Sequence, residues 1–306
     1  MTPHAHGRSS PPPTGRWIPP RRMWSRLLLA VALGTASWAA APPPQDLEAG
    51  RSNGTVRFGV IGDNGSGDGG QYDIARQMAA ARETFPFEFV IMLGDNMYGR
   101  QEPRDFVEKF ERPYGPLLQA GVSFYATLGN HDDPNNRLYP GFNMRGERYY
   151  TFAKGPVRFF VFDTNMMDAP QLQWIRKALA DAREPWKVCY FHHPLYSNGA
   201  RHGADVELRV VLEPLLTRHA VNVVFSGHEH IYERLRPQKG ITYFIEGSSG
   251  KLRKGGVRVS ETTAAAFDQE QTFMLVAVEG DVMSFRTLSR SGRIVDAGEI
   301  RRIPAT

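Results

Sequence analysis

The chain has 306 residues, 41% of them hydrophobic, which is enough to form a sizeable core. Residues 1–41 hold five arginines and no lysine or acidic residue, so the formal charge of +5 falls to 5 − 5 = 0 without them. The basic balance therefore gives no reason to expect a nucleic-acid or anionic-membrane partner. A single cysteine, Cys189, excludes an intrachain disulfide.

The first 41 residues are predicted to be an export leader. Arginines precede a short apolar run, Leu27–Leu33, and small residues at Ala39–Ala41 suit cleavage. The run is too short to span a bilayer, so we expect an exported protein, periplasmic or secreted, with no stable membrane span after leader removal. Met23 is an alternative start, and the export route stays open. Residues 42–53, rich in proline and then polar, are predicted to be a linker.

From Val56 onwards apolar strands alternate with amphipathic helices, which predicts one α/β domain over residues 54–306. Ile74, Met78, Ala81 and Phe85 are spaced to form one face of the first helix. Further helices are predicted over Pro103–Tyr114, Pro170–Arg183 and Asp205–His219, a hairpin turn at Lys154-Gly155, and a β-rich C-terminal third.

Five predicted strands each end in a residue able to bind metal, and these are Asp63, Asp95, Asn130, His192 and His228. Ligands of open α/β sheets bind at the carboxyl ends of strands, so these side chains are expected to converge. Carboxylates, an amide and imidazoles suit iron, zinc or manganese, and the lack of a thiolate argues against a structural zinc site. Taken singly, either aspartate could instead cap the helix that follows it.

Five blocks in order carry a family resemblance: "GDNGSGD", "GDNMYG", "GNHDD", "HHPLYSNGARHG" and "GHEH", from Gly62 to His230. Together they resemble the calcineurin-like metallophosphoesterase superfamily, and within it the purple acid phosphatase branch of the small, tartrate-resistant type. The resemblance implies a four-layer αββα sandwich with its metal site at the carboxyl ends of the strands. Beyond about Gly247 only the strand pattern supports the match.

Two positions select the branch. Most diesterase and nuclease members have D-x-H in the first block, whereas this chain has Asp63-Asn64-Gly65. Purple acid phosphatases replace that histidine by a tyrosine three residues after the bridging aspartate, and here that position is Tyr98. The phenolate is a hard anionic ligand that favours a trivalent ion.

The resemblance implies two metal ions that share Asp95. Fe(III) is expected in the tyrosine-bound site, and Fe(II), Zn or Mn in the second. The expected ligands are Asp63, Asp95, Tyr98 and His230 for the first ion, and Asp95, Asn130, His192 and His228 for the second. His193, next to His192, is the alternative ligand at that position.

Two further histidines are expected to act on the substrate, His131 as a hydrogen-bond donor to phosphate and His202 as the acid that protonates the leaving group. The predicted function is an exported acid phosphatase that hydrolyses small phosphate monoesters by direct attack of metal-bound hydroxide. The alternatives are a phosphodiesterase of the same superfamily and a non-catalytic binding module on the same fold. Asp132 and Asp133 are interpreted as polar loop residues or as residues that support the metal ligands without binding metal. The interpretation of His202 as an ordinary loop histidine remains open.

Overall fold

The computed structural model describes residues 47–50, as backbone, and residues 54–302. The predicted leader and most of the predicted linker lie outside the described residues. Within the stretch predicted as linker, Leu47–Gly50 form a strand, β1, that pairs in parallel with a strand of the domain. That strand was not expected from its polar and glycine-containing sequence.

Helices form in the described residues where the sequence predicts them, and Ile74 and Met78 of the first helix are buried as its spacing predicts. The first begins after an aspartate cap, and the helix predicted from Pro103 is a short α-helix that continues into a π-helical turn, Val107–Glu111. The α-helices are α1 (Gly69–Thr84), α2 (Pro103–Phe106), α3 (Gly115–Gln119), α4 (Ala169–Asp181) and α5 (Val206–Arg218).

Six strands form one sheet in the described part of the chain, ordered β14-β13-β12-β2-β3-β4. Its strands β2, β3 and β4 are parallel, and β12, β13 and β14 add antiparallel neighbours. The bounds are β2 (Thr55–Ile61), β3 (Phe89–Met92), β4 (Ser123–Ala126), β12 (Thr272–Glu279), β13 (Val282–Ser289) and β14 (Ile294–Arg301).

The second sheet has eight strands in the order β1-β5-β6-β7-β8-β10-β9-β11. Its central strands β6, β7, β8 and β10 are parallel. The bounds are β5 (Tyr150–Lys154), β6 (Val157–Val161), β7 (Trp186–Tyr190), β8 (Val223–Ser226), β9 (Tyr232–Leu235), β10 (Thr242–Glu246) and β11 (Thr263–Phe267). The hairpin between β5 and β6 turns where the sequence predicts it, whereas β9 and β11 were not predicted.

The two sheets pack face to face through aromatic side chains. The ring of Phe58 on β2 contacts those of Phe159 and Phe225 in the other sheet edge to face, with centroids 5.3 and 6.2 Å apart. On the outer face of the eight-stranded sheet, Ile175 of α4 and Leu212 of α5 are buried. The predicted αββα sandwich is therefore confirmed, because α1 covers the other sheet.

The layers bring strand ends from both sheets to one edge. β2, β3 and β4 end just before Asp63, Asp95 and Asn130, and β7 and β8 end just before His192 and His228. No helix of the described residues is both long and apolar enough to cross a membrane.

Candidate metal centre

Three of the predicted ligands adopt a backbone conformation that non-glycine residues seldom occupy. The φ angles are 51° at Asp63, 52° at Asp95 and 69° at His228. Such a conformation is costly by about 1–3 kcal/mol per residue, and it persists where the surrounding structure enforces it, often at functional sites. Here the chain turns sharply as each strand ends, which aims the side chain along the edge where the sheets meet.

Helix capping does not explain the two aspartates. The N-cap of α1 is Asp68, whose carboxylate accepts from the backbone N–H groups of Gly70 and Gln71. The N-cap of α2 is Glu102. Asp63 and Asp95 are buried instead, and both point toward other side chains of the site.

Tyr98 lies inside the site rather than on its rim. Its hydroxyl donates to Oδ1 of Asp63 at 2.9 Å and lies 3.1 Å from Nε2 of His230. That imidazole nitrogen is in turn 3.4 Å from Oδ1 of Asp63. Ligand atoms of Asp63, Asp95 and His230 lie within 4.8 Å of one another, so four of the predicted donors converge on one side of the site.

The position of Tyr98 inside the site depends on the glycine at position 65. The backbone N–H of Tyr98 donates to the carbonyl oxygen of Gly65 at 3.0 Å, which draws the two loops together. A Cβ at Gly65 would collide with the backbone carbonyl of Asn96. No side chain fits at this position, so the loop that carries Tyr98 takes the space that a histidine at position 65 would need.

A second cluster lies on the other side of Asp95. Nε2 of His192 is 3.4 Å from Oδ1 of Asp95, 3.1 Å from Oδ1 of Asn130 and 3.2 Å from Nδ1 of His228. The opposite ring nitrogen, Nδ1 of His192, lies 2.9 Å from the carbonyl of Leu93. That contact fixes the ring so that Nε2 faces the cluster, as is usual for a metal-binding histidine.

His193 also belongs to this neighbourhood. Ligand atoms of His192, His193 and His228 lie within 4.8 Å of one another. However, Nδ1 of His193 is 2.8 Å from the hydroxyl of Thr164, whereas His192 alone reaches Asn130 and Asp95. The geometry favours His192 as the ligand over its neighbour.

The ionisation preferences of the site fit cations. Burial raises the pKa of the Asp63 carboxyl well above its usual range, and the charge of Asp95 adds to that rise. Burial, and then the two carboxylates, also raises the pKa of the Tyr98 phenol. Burial lowers the pKa of His230 to about 4 and that of His228 to about 2. The lowered pKa values keep both imidazoles neutral, which is the form that binds metal, and a bound cation would favour the ionised carboxylate and phenolate that burial disfavours.

The two predicted catalytic histidines border the clusters. The His131 ring lies 4.8 Å from the Tyr98 ring, and its backbone N–H donates to Oδ1 of Asp95 at 2.9 Å. The His202 ring lies 4.2 Å from the ring of His228. Both side chains are exposed, so both are accessible to a substrate above the site.

Two buried carboxylates, neither assigned to a specific task from the sequence, hold these loops. Asp132 accepts from the backbone N–H groups of Asn96, Met97 and Gly129, which ties the Tyr98 loop to the Asn130 loop. Oε1 of Glu229 accepts from the backbone N–H groups of His202 and Gly203 and so positions the His202 loop. The position of Glu229 between two predicted ligands in "GHEH" was the feature of the sequence that could have indicated this role.

Comparisons with known proteins agree with this geometry. A family model described as calcineurin-like phosphoesterase matches residues 56–232. Human tartrate-resistant acid phosphatase type 5 is 29% identical over 269 residues, which cover 74% of this chain and 79% of that one. Fe(3+)-Zn(2+) purple acid phosphatase 12 of Arabidopsis thaliana is 27% identical over 217 residues, which cover 61% of this chain and 45% of that one.

A solved structure extends the likeness of fold to a protein with another role. GAP50, the anchor in the inner membrane complex of Plasmodium, aligns with a TM-score of 0.71 at 16% identity, over 82% of this chain and 90% of that chain. At this identity the likeness shows the fold alone. Since the family model covers more than half of the chain and acid phosphatases are among the sequence relatives, the chain belongs to the calcineurin-like phosphoesterase family.

Proposed function

We propose that this protein is an exported acid phosphatase that hydrolyses phosphate monoesters at a dinuclear metal site. The observation that carries the proposal is the contact of the Tyr98 hydroxyl with Asp63 and His230, made where Gly65 leaves no room for a side chain. This pairing of glycine and tyrosine resembles the purple acid phosphatases rather than the diesterases.

The donors divide into two sets around Asp95, whose carboxylate serves both. When bound, two metal ions supply positive charge for the phosphate oxygens and activate water as the nucleophile. The phenol of Tyr98 favours Fe(III) in its own set, and Fe(II), Zn or Mn suits the other. The proposed sets are Asp63, Asp95, Tyr98 and His230, and Asp95, Asn130, His192 and His228.

The exposed histidines are assigned to the substrate. His131, beside the Tyr98 ring, donates a hydrogen bond to a phosphate oxygen. His202, beside the ring of His228, holds the proton that passes to the leaving-group oxygen as the bond to phosphorus breaks. Glu229 keeps His202 at the cleft through its hydrogen bonds to the loop backbone.

The test compares hydrolysis of 4-nitrophenyl phosphate with that of bis(4-nitrophenyl) phosphate by protein reconstituted with iron and zinc. We expect the monoester to be strongly preferred, with an optimum at acidic pH. Asp95→Asn should abolish turnover. The control is Asp168→Asn, which changes the N-cap of α4 and none of the proposed ligands, and it should not abolish turnover. A preference for the diester would favour the phosphodiesterase. Failure to hold two metals or to turn over either ester would favour a binding module on this fold.

Export is a separate part of the proposal and rests on residues 1–41, where arginines precede an apolar run and small residues. Expression of the full chain followed by N-terminal sequencing of the exported product tests it. We expect cleavage close to Ala41. An uncleaved protein retained in the cytoplasm would contradict it.

A further inference from the structure

A loop rich in cations borders the site on its tyrosine side. The segment "KLRKGGVR", Lys251–Arg258, holds four cationic residues in eight positions, within a region of the chain (residues 42–306) that is formally neutral. This local excess of positive charge is therefore not a general property of the domain. The segment was not expected at the site from the sequence, because it lies beyond the family blocks.

The loop is attached to the site by its backbone. The N–H of Lys251 donates to the carbonyl of Asp63 at 3.0 Å, and the N–H of Arg253 donates to the carbonyl of His230 at 2.9 Å. The Lys251 ammonium lies over the Tyr98 ring, 4.7 Å from its centroid. The first cationic residues of the segment therefore lie next to the proposed metal ligands.

The same loop pairs with the segment that carries His202. Gly199 forms an antiparallel bridge with Val257, and the N–H of Ala200 donates to the carbonyl of Gly256 at 2.7 Å. This pairing places Arg201 and His202 beside the basic segment. Burial lowers the pKa of His202, the charge of Glu229 raises it, and the charges of Arg201 and Arg253 lower it further.

Several of these cations are in no ion pair within the part of the chain that the structure describes. Within residues 54–302, no ion pair involves Arg201, Lys251, Arg253 or Lys254. Nε of Arg253 is buried and without a hydrogen-bond partner in that range. The carboxylate of Glu229 accepts from two backbone N–H groups through Oε1, and its Oε2 is also buried and without a hydrogen-bond partner in that range. The Arg253 side chain as a whole is only half-buried and takes part in no ion pair of the described residues, so its charge can be met by an anion from outside the chain.

We infer that Arg201 and Arg253 form a subsite for a second anionic group on the leaving group of the substrate. The inference rests on the proposed function and names the substrate class, which is phosphate esters whose leaving group carries a carboxylate or another phosphate. In the reaction water adds to phosphorus, the bond from phosphorus to the leaving oxygen breaks, and His202 gives that oxygen its proton. The second anion remains on the departing product beside Arg201 and Arg253.

The test uses two esters that differ in one charge, 3-carboxyphenyl phosphate and phenyl phosphate, with the metal-loaded protein. We expect the ratio of their kcat/KM values to favour the carboxylated ester by about 10-fold, as a charge-assisted hydrogen bond to one anion would give. In the double variant Arg201→Gln/Arg253→Gln the ratio should fall to near 1. The matched control is Arg176→Gln, an exposed arginine of α4 without an ion pair in the described residues, which should leave the ratio unchanged.

Further measurements guard against misinterpretation. If the double variant fails to fold, the single variant Arg201→Gln, at an exposed position, should still lower the ratio by a few-fold. The difference in Ki between phosphonoacetate and methylphosphonate, whose P–C bonds are not hydrolysed, reports affinity without turnover and should shrink in the same variants. Glycerol 3-phosphate and glycerol 2,3-bisphosphate repeat the comparison with a second phosphate in place of the carboxylate and show which anion is preferred.

The outcomes separate this inference from the proposed function. A wild-type protein that hydrolyses neither aryl ester contradicts the proposed function itself. A protein that hydrolyses both with a ratio near 1 contradicts only the subsite. A ratio that is high but equally lowered by Arg176→Gln would also overturn it, because a general surface charge would then be the cause.

Discussion

Asp132→Asn removes the carboxylate that joins the two loops of the metal centre. Oδ2 of Asp132 accepts from the backbone N–H groups of Asn96 at 3.1 Å and Gly129 at 2.8 Å, and Oδ1 accepts from that of Met97 at 2.9 Å. Asparagine has the same shape but replaces one acceptor oxygen by an NH2 group. That group would face a backbone N–H, so two donors would be left without an acceptor in a buried place.

The magnitude follows from those two donors. A buried donor left unsatisfied costs about 1–3 kcal/mol, so the free energy of unfolding should fall by roughly 2–6 kcal/mol. The loops that Asp132 joins also carry Tyr98 and Asn130, so retention of metal should weaken at the same time. Burial raises the pKa of Asp132 to about 7, so urea unfolding of the metal-free protein is followed by tryptophan fluorescence at about pH 9, where Asp132 is ionised, to measure the first effect. Metal content after dialysis measures the second.

The neighbouring residue supplies the control. Asp133 is exposed and accepts from the N–H of Asn135 at 2.8 Å as a helix cap, a task that asparagine performs as well. Asp133→Asn should therefore change the free energy of unfolding by no more than about 0.5 kcal/mol. If Asp132→Asn destabilised the protein no more than Asp133→Asn, the reasoning from the hydrogen bonds of Asp132 would be refuted.

Three further predictions each concern the change of one residue. Gly65→Ala should lower the metal content of the purified protein, because the added Cβ would collide with the backbone carbonyl of Asn96. Gly69→Ala is the control and should not lower it, because no atom lies within 4 Å of a Cβ at that position. Equal metal content in the two variants would contradict this prediction. Glu229→Ala should release the backbone of the His202 loop. Hydrolysis should slow more for an alkyl phosphate than for 4-nitrophenyl phosphate, because a poor leaving group depends more on protonation by His202. Equal slowing of the two esters would mean that His202 does not protonate the leaving group. Burial raises the pKa of Glu246 to about 8, so the folded state keeps a proton that the unfolded state loses above pH 4.5. The free energy of unfolding should therefore fall between pH 5 and pH 8, by at most about 4 kcal/mol. Urea titrations at several pH values should show a flatter slope for Glu246→Gln, and an unchanged slope would contradict this.

The strand ends and their ligands were predictable because each signal is local. An apolar run followed by glycine and a polar residue specifies the end of a buried strand, as at Gly62-Asp63 and Gly227-His228. Once both sheets were expected, the convergence of these ends followed from the rules for α/β sheets. The pairing of Gly65 with Tyr98 was predicted only through the resemblance to purple acid phosphatases, because the two positions are 33 residues apart in the sequence.

The remaining features depend on contacts between distant segments. Strand β11 reads "TAAAF", and its alanines give little indication of a strand until β9 pairs with it. The approach of Lys251–Arg258 to the His202 loop depends on the bridge from Gly199 to Val257, which joins residues far apart in the chain. No local pattern predicts such a pairing, so the basic border of the site emerges only in three dimensions.

The most direct test of the account is the visible absorption spectrum of the iron-loaded protein with its metal content, measured for the wild type and Tyr98→Phe. The phenol of Tyr98 is within hydrogen-bond distance of two other proposed ligands, Asp63 and His230. We expect two metal ions per wild-type chain and a purple to pink colour from charge transfer between phenolate and Fe(III), with the colour lost in the variant. A wild-type protein that holds iron and is colourless, or a variant that keeps the colour, would contradict the central claim.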